Sequence, residues 1–241
     1  MLETLVRAPI TPETSTSRIT TTSLSLPTVV RRLSTLSESY GAINGCSIDL
    51  ETGDVATTID QSSVYNVAVF STPSSPPTTY LISFDIQYCA FDQNGDLFVD
   101  GYGGYGKEFS LYELSKSSDE FFNIWVTPGI EARPGQVQWA GNYLTVEGIG
   151  ISKGASIYWL SVAGSTATIS GITKFKGITK SVSQSWIYNH LILVPYGTRG
   201  NRVDKTKVGL WKYPAGGKPL QTVAKFANGL DFQAVTFSPS S

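Results

Sequence analysis

Along most of the chain, short runs of alternating apolar and polar residues are separated by Gly, Asn, Asp and Pro. Alternation over four to eight residues predicts half-buried β-strands, and the punctuating residues predict tight turns. The pattern recurs. Cys46-Ser-Ile-Asp49-Leu-Glu-Thr-Gly53-Asp54-Val55 aligns with Cys89-Ala-Phe-Asp92-Gln-Asn-Gly95-Asp96-Leu97, each a strand, an Asp, a Gly turn and a second strand. The two turn glycines lie 42 residues apart. Val137-Gln-Trp139-Ala-Gly141-Asn142-Tyr143-Leu-Thr-Val146 repeats the unit with a shorter turn, and Trp186-Ile-Tyr188-Asn189-His190-Leu191-Ile-Leu-Val194 repeats it again. Gly-Asp and Gly-Asn between alternating runs are hairpin signals, because Gly reaches positive φ without steric cost.

A second column keeps the same register. Phe70, Tyr112, Trp159 and Trp211 each end a strand before a polar turn, at spacings of 42, 47 and 52 residues. A further short strand follows each turn. Each period therefore holds four strands, and four-stranded units at this period are the signature of a β-propeller blade. The aromatic column reads as packing between blades, since large rings fill the wedge between twisted sheets.

The fold class is all-β: a β-propeller of about five four-stranded blades with a defective N-terminal blade, spanning 29–241. The blades fall at about 44–86, 87–133, 134–180 and 181–226, with 228–238 as a ring-closing strand beside 29–43. A C-terminal strand that completes the first blade closes the ring and hides its sheet edges.

Residues 1–28 do not fit the repeat and read as an irregular leader rich in Thr and Ser. Back-translated with favourable degenerate bases and shifted by one base from the Pro9 codon, the segment can encode Asp-Asn-Ala-Gly-Asn-Val-Tyr-Val-Ser-Asp. This matches the template from Asp92 to Asp100, with its Gly at Pro12, 41 residues before Gly53. Residues 8–27 are read as a frameshifted blade segment, with an ordinary Thr/Ser-rich leader as the alternative.

Composition agrees with the pattern. Charged residues make up 15% against roughly 25% in an average domain, while the chain holds 23 Gly, 12 Pro and 12 Tyr. Helical surfaces draw on Lys, Glu and Arg, whereas this mix is that of strands and turns. A net charge of −1 with pI near 5.9 argues against nucleic acid as a partner. No apolar run approaches the roughly 20 residues of a membrane helix. No signal peptide is recognisable in residues 1–30. Cys46 and Cys89, too far apart for a zinc motif, read as buried thiols or as a pair facing each other near the axis.

The phrases Tyr88-Cys-Ala-Phe-Asp92-Gln-Asn-Gly-Asp-Leu-Phe-Val-Asp-Gly101, Val137-Gln-Trp139-Ala-Gly-Asn-Tyr-Leu-Thr-Val146 and Trp211-Lys-Tyr-Pro-Ala-Gly-Gly217 together resemble uncharacterised bacterial β-propeller proteins similar to NHL-repeat and gluconolactonase-like propellers. The resemblance covers about 29–241 and implies the fold. Typical members look secreted. It implies no activity and carries no catalytic residue onto this chain.

Two functional classes follow. The first is a non-catalytic binding or scaffold propeller acting through its loop face on a protein, peptide or carbohydrate. Its candidate contacts are Tyr102 and Tyr105 in Gly101-Tyr-Gly-Gly-Tyr-Gly106, because Tyr and Gly make adaptable binding surfaces. That loop lacks the Lys-Ser/Thr and helix of a phosphate cradle. The second class is a metal-assisted hydrolase of the lactonase type. Asp100 and Glu147, at matching positions of adjacent blades, would join Asn189 and the lone His190 around a divalent cation that polarises a carbonyl. The fourth blade offers Val194 or Pro195 where a further donor is wanted, so binding without metal or other cofactor is the favoured reading. Asp49 and Asp92 precede the hairpin glycines and read as turn caps.

Overall fold

In a computed structural model the described residues are 2–6, 20–23, 42–61, 64–72, 75–103, 108–131, 133–150, 154–178, 184–198, 205–226 and 236–237. Among them the secondary structure is β throughout. The strands are β1 (Leu2–Val6), β2 (Thr20–Ser23), β3 (Ala42–Ile48), β4 (Val55–Gln61), β5 (Val64–Phe70) and β6 (Thr78–Ile82). They continue with β7 (Asp85–Phe91), β8 (Leu97–Gly103), β9 (Glu108–Leu114), β10 (Phe122–Thr127), β11 (Arg133–Ala140), β12 (Tyr143–Gly150) and β13 (Gly154–Ala163). The last are β14 (Thr166–Lys174), β15 (Trp186–Tyr188), β16 (Leu191–Thr198), β17 (Lys205–Lys212), β18 (Gly216–Phe226) and β19 (Thr236–Phe237).

Sixteen of these strands form four antiparallel meanders in chain order: β3 to β6, β7 to β10, β11 to β14 and β15 to β18. The protein is a β-propeller of four-stranded blades. The turns are made as their residues dictate. Asp49 Oδ1 accepts from the Glu51 N–H at 2.9 Å, and Asp92 Oδ1 accepts from the Asn94 and Asp96 N–H groups at 2.7 and 2.9 Å. Gly53 and Gly95 then take φ of 81° and 83°, where a side chain would be strained.

The core lies between blades. Ala56, Val67 and Ile82 of the first blade pack against Phe84, Ile86, Cys89 and Leu97 of the second. Ala90, Phe98 and Leu111 meet Val137, Leu144 and Val146 of the third. Ile157 meets Ile187, Ile192 and Trp211 of the fourth. Middle strands are therefore covered on both faces: Leu97 to Asp100 of β8 are all buried, while outer strand β14 alternates exposed and buried. Aromatic rings fill the wedges: Tyr112 stacks on Phe84 at 4.5 Å, and fully buried Trp211 takes the edges of Phe175 and Tyr196 at 5.4 Å.

The outer strands of the second and third blades also pair. β10 runs parallel to β14, with Trp125 opposite Thr166, which joins the two blades into one eight-stranded sheet.

A further sheet has the order β19-β1-β2. β1 and β2 are antiparallel, with Glu3 opposite Ser23 and Val6 opposite Thr20, a register centred near Pro12. The N-terminal segment thus contributes two strands where irregular structure was expected over 1–28. Thr236–Phe237 pairs with Leu2–Val6. Of the segment 29–43 expected beside it, all but 42 and 43 lies outside the described residues. Innermost strands succeed one another around the ring, β3 beside β7, β7 beside β11, β11 beside β15 and β15 beside β19. The C-terminal strand therefore occupies the inner position of the unit built on β1 and β2.

Candidate functional site

Each inner strand of the first three blades carries a β-bulge: Ile43/Cys46 in β3, Ile86/Cys89 in β7 and Pro134/Val137 in β11. A bulge leaves backbone groups without ladder partners, and these must be satisfied elsewhere. Opposite the three bulges, on the second strands, stand Thr58, Asp100 and Glu147, all buried.

Thr58 Oγ1 accepts from the Gly45 N–H at 2.8 Å and donates to Gln87 O of the next blade at 2.8 Å. Asp100 Oδ1 accepts from the Tyr88 N–H at 3.0 Å. Glu147 Oε2 accepts from the Ser185 hydroxyl of the fourth blade at 3.0 Å. In the fourth blade Val194 follows the Trp186↔Leu193 pair, so an apolar residue closes the series. Burial dominates the acids' protonation. It pushes the Glu147 carboxyl up to about 8, against the opposing hydrogen bonds from Ser185. It also raises Asp100 well above the carboxylate range, with the charge of Glu147 adding and the amides of Tyr88 and Gly135 opposing. Asp100 Oδ2 and Glu147 Oε1 have no hydrogen-bond partner among the described residues.

A second device joins the blades. Gln138 of β11 donates from Nε2 to Ile187 O at 2.7 Å and accepts at Oε1 from the Ile187 N–H at 2.7 Å. One side-chain amide thereby imitates a strand pairing between β11 and β15. Ser47 acts similarly between the first two blades, its Oγ accepting from the Phe91 N–H at 3.0 Å. The polar residue beside the bulge in Pro-Gly-Gln-Val-Gln138 is the only trace of this in the sequence.

Of the residues proposed around a metal, Asp100 and Glu147 lie near each other, whereas Asn189 and His190 do not join them. Asn189 lies in the β15–β16 turn with φ 53°, five residues before Val194, the counterpart of Glu147; Asn189 and His190 are both exposed there. Among the described residues no three His, Cys, Asp or Glu side chains are grouped to hold a metal. Tyr102, half-buried near the end of β8, is opposite Asp85. Tyr105 lies outside the described residues. Cys89 is buried, its Sγ 3.6 Å from Ala56 O. Cys46 stands at the equivalent point after its own bulge, and its side chain lies outside the described residues.

Asn189 and His190 instead line a cleft of about 490 Å3 between the third and fourth blades, at the strand ends opposite to Tyr102. The Gly141-Asn142 turn forms the facing lip. The aromatic residues Tyr143, Trp159, Tyr188 and Tyr213 line the cleft, and Trp139 lines its floor while its ring stacks on Phe98 of the second blade at 5.8 Å. Trp159 sits between Tyr143 and Tyr213 at ring distances of 6.1 and 6.0 Å. The Trp159 Nε1–H donates to Thr173 Oγ1 at 3.0 Å, which in turn donates to Pro214 O at 2.7 Å. The Tyr213 N–H donates to His190 O at 2.8 Å, tying the β17–β18 turn to the β15–β16 turn within the fourth blade. Gly171 lets this ring lie flat, since a Cβ there would come within 2.4 Å of Trp159 Cε3. Burial, with the neighbouring Tyr143 hydroxyl, pushes the Tyr213 phenol up to about 12, so it is a neutral hydrogen-bonding group at physiological pH.

No family model and no curated protein sequence matches the chain. Solved structures do. A chain of the nidogen–laminin complex aligns with 97% of this chain and 97% of its own length, at TM-score 0.56 and 11% identity. Hydrazine synthase of Kuenenia stuttgartiensis aligns over 79% of this chain at TM-score 0.55 and 14% identity. A functionally unknown protein from Desulfotomaculum acetoxidans DSM 771 aligns over 82% at TM-score 0.52 and 15% identity. These neighbours are β-propeller proteins, and at such identities the likeness is one of fold. The chain spans 56% of the matched hydrazine synthase chain and 60% of the Desulfotomaculum chain. Among the described residues no helix is long and apolar enough to cross a membrane.

Proposed function

We propose that this chain is a non-catalytic binding propeller, related in kind to the NHL-repeat and gluconolactonase-like proteins its sequence phrases resemble, that recognises its ligand through loops at the blade ends. The observation that carries this reading is the engagement of Asp100 and Glu147. Both are sealed from solvent, Asp100 hydrogen-bonded to the Tyr88 N–H of an inner strand and Glu147 to the Ser185 hydroxyl of the next blade. Asn189, the third member of the hydrolase alternative, is at the other end of its strand pair. Tyr102 and Tyr105 remain the proposed contacts at the β8–β9 end.

The hydrolase reading draws on the two carboxylate oxygens without partners, Asp100 Oδ2 and Glu147 Oε1, which have lone pairs to offer a divalent cation. One experiment separates the two. The purified protein is screened for binding to peptide and glycan arrays and for turnover of lactones with and without Ca2+, Mg2+ or Zn2+. The binding reading expects ligand capture that Glu147→Ala leaves in place and that a Tyr102→Ala, Tyr105→Ala double variant weakens. Metal-dependent turnover abolished by Glu147→Ala, with the tyrosines dispensable, would establish the hydrolase instead.

A further inference from the structure

We infer that the cleft between the third and fourth blades is a carbohydrate site that takes a neutral saccharide. The inference rests on the binding reading above but assigns a different end of the blades from Tyr102. Three observations carry it. First, the cleft is concave and its volume falls within the roughly 300–1,000 Å3 range of small-ligand sites. Second, its walls offer several rigid ring surfaces. Tyr188 is 44% exposed at the lip, and Trp159 is held in place by both its neighbours and its Nε1–H bond. Ordered rings cost little conformational entropy on binding. Third, the polar groups at the rim are Asn142, Asn189 and His190, and the lining contains no Asp, Glu, Lys or Arg.

That combination selects the ligand chemistry. Flat aromatic faces suit the C–H faces of a pyranose ring. Side-chain amides donate and accept at once, and the imidazole adds a further hydrogen-bonding edge, which matches hydroxyl groups that do both. A charged ligand would enter a cleft with no opposite charge to meet it. An oligoproline segment would use the rings, yet it presents only carbonyl acceptors to the amide-rich rim and leaves the acceptor halves of Asn142 and Asn189 unmatched.

The test is intrinsic tryptophan fluorescence and calorimetric titration of the full chain with neutral cello-, xylo-, malto- and chito-oligosaccharides, and with a blocked hexaproline peptide. Binding of at least one saccharide is expected, with an affinity unchanged between about 0.05 and 1 M NaCl because no ion pair forms. Tyr188→Ala and Asn189→Gly should each weaken it about tenfold, a loss of about 1.4 kcal/mol. Asn189→Gly is chosen because its φ of 53° is one that Gly adopts freely, so the fold is kept. Trp125→Ala, an exposed ring on the outer strand β10, should leave affinity unchanged.

Saccharide binding that both cleft variants leave intact but the Tyr102→Ala, Tyr105→Ala double variant removes would overturn the cleft and keep the binding reading. Hexaproline bound in place of every saccharide would overturn the ligand class. No binding to any probe, combined with metal-dependent turnover lost in Glu147→Ala, would overturn both.

Discussion

Thr58, Asp100 and Glu147 hold one structural position in three successive blades, and their differences are chemical. A hydroxyl both donates and accepts, so Thr58 satisfies an amide and a carbonyl at once. An ionised carboxylate only accepts, and burial disfavours that form. Glu147 is therefore held as the neutral acid over a pH range where the unfolded chain is ionised. The folded state binds the extra proton between the ordinary carboxylate value, 4.5, and about 8, so this contribution to stability is fully present below about pH 4.5 and is lost as pH rises through 8. Asp100 acts with the same sign. Glu147→Gln copies the neutral acid. We expect its melting temperature to exceed that of the parent by several degrees at pH 9 and to match it within about 2 °C at pH 5, as measured by calorimetry. A parallel fall of both proteins with rising pH would refute the assignment. Gln138 makes a different case. Truncation to Ala would leave the N–H and C=O of Ile187 both without partners, at a cost of roughly 1–3 kcal/mol in urea unfolding. A change under about 0.5 kcal/mol would show that the bridge between β11 and β15 contributes nothing net.

At the scale of elements, the parallel pairing of β10 with β14 sets backbone against side chain. The Trp125 N–H donates to Ser165 O at 2.9 Å, whereas the Trp125 ring is 69% exposed. Trp125→Ala should shift stability by less than about 1 kcal/mol, and Trp125→Pro, which deletes the donor, should cost roughly 2 kcal/mol or more by the same unfolding measurement. Equal effects would mean that the pairing of these two outer strands carries no stability. This contact also marks what the sequence could and could not reveal. Hairpins were legible because turn chemistry is local: the Gly95 N–H donates to Asp92 O three residues back, and Gly95 takes the positive φ. The four-strand period was legible because each blade repeats the same local solution. The joining of β10 to β14 depends on how two blades splay at their rim, which no local pattern encodes. For the candidate site the balance was similar. The alignment placed Asp100 and Glu147 at equivalent points, and they are equivalent, but burial and the bulges opposite them make them internal supports. The cleft rings Tyr143, Trp159 and Tyr213 come from two blades and three separate strands and turns. Their convergence is a product of blade packing, and the sequence pattern singled out only Trp159, as a packing aromatic.

For the whole molecule the decisive contact is the one between chain ends. Inter-blade cores cover the second and third blades on both sides, whereas the unit at the chain ends is assembled from residues more than 200 positions apart, Leu2 opposite Phe237 and Glu3 opposite Thr236. β19 in turn neighbours β15, the inner strand of the fourth blade. If β19 closes the ring, it protects an edge of both neighbours, and its removal should act beyond the few residues deleted. Deletion of 228–241 is expected to lower the melting temperature, to decrease the urea m value as the end units uncouple from the rest, and to speed proteolysis within 1–28 ahead of cleavage in 85–174. The order of events matters more than the size of the loss. The stretch 85–174 forms one eight-stranded sheet and does not contact the deleted strand through its own pairings, so its amide protons should keep their exchange protection in the truncated chain. Protection lost evenly over every blade would show instead that the ring unfolds as a single unit and that the closing strand is coupled to all of it.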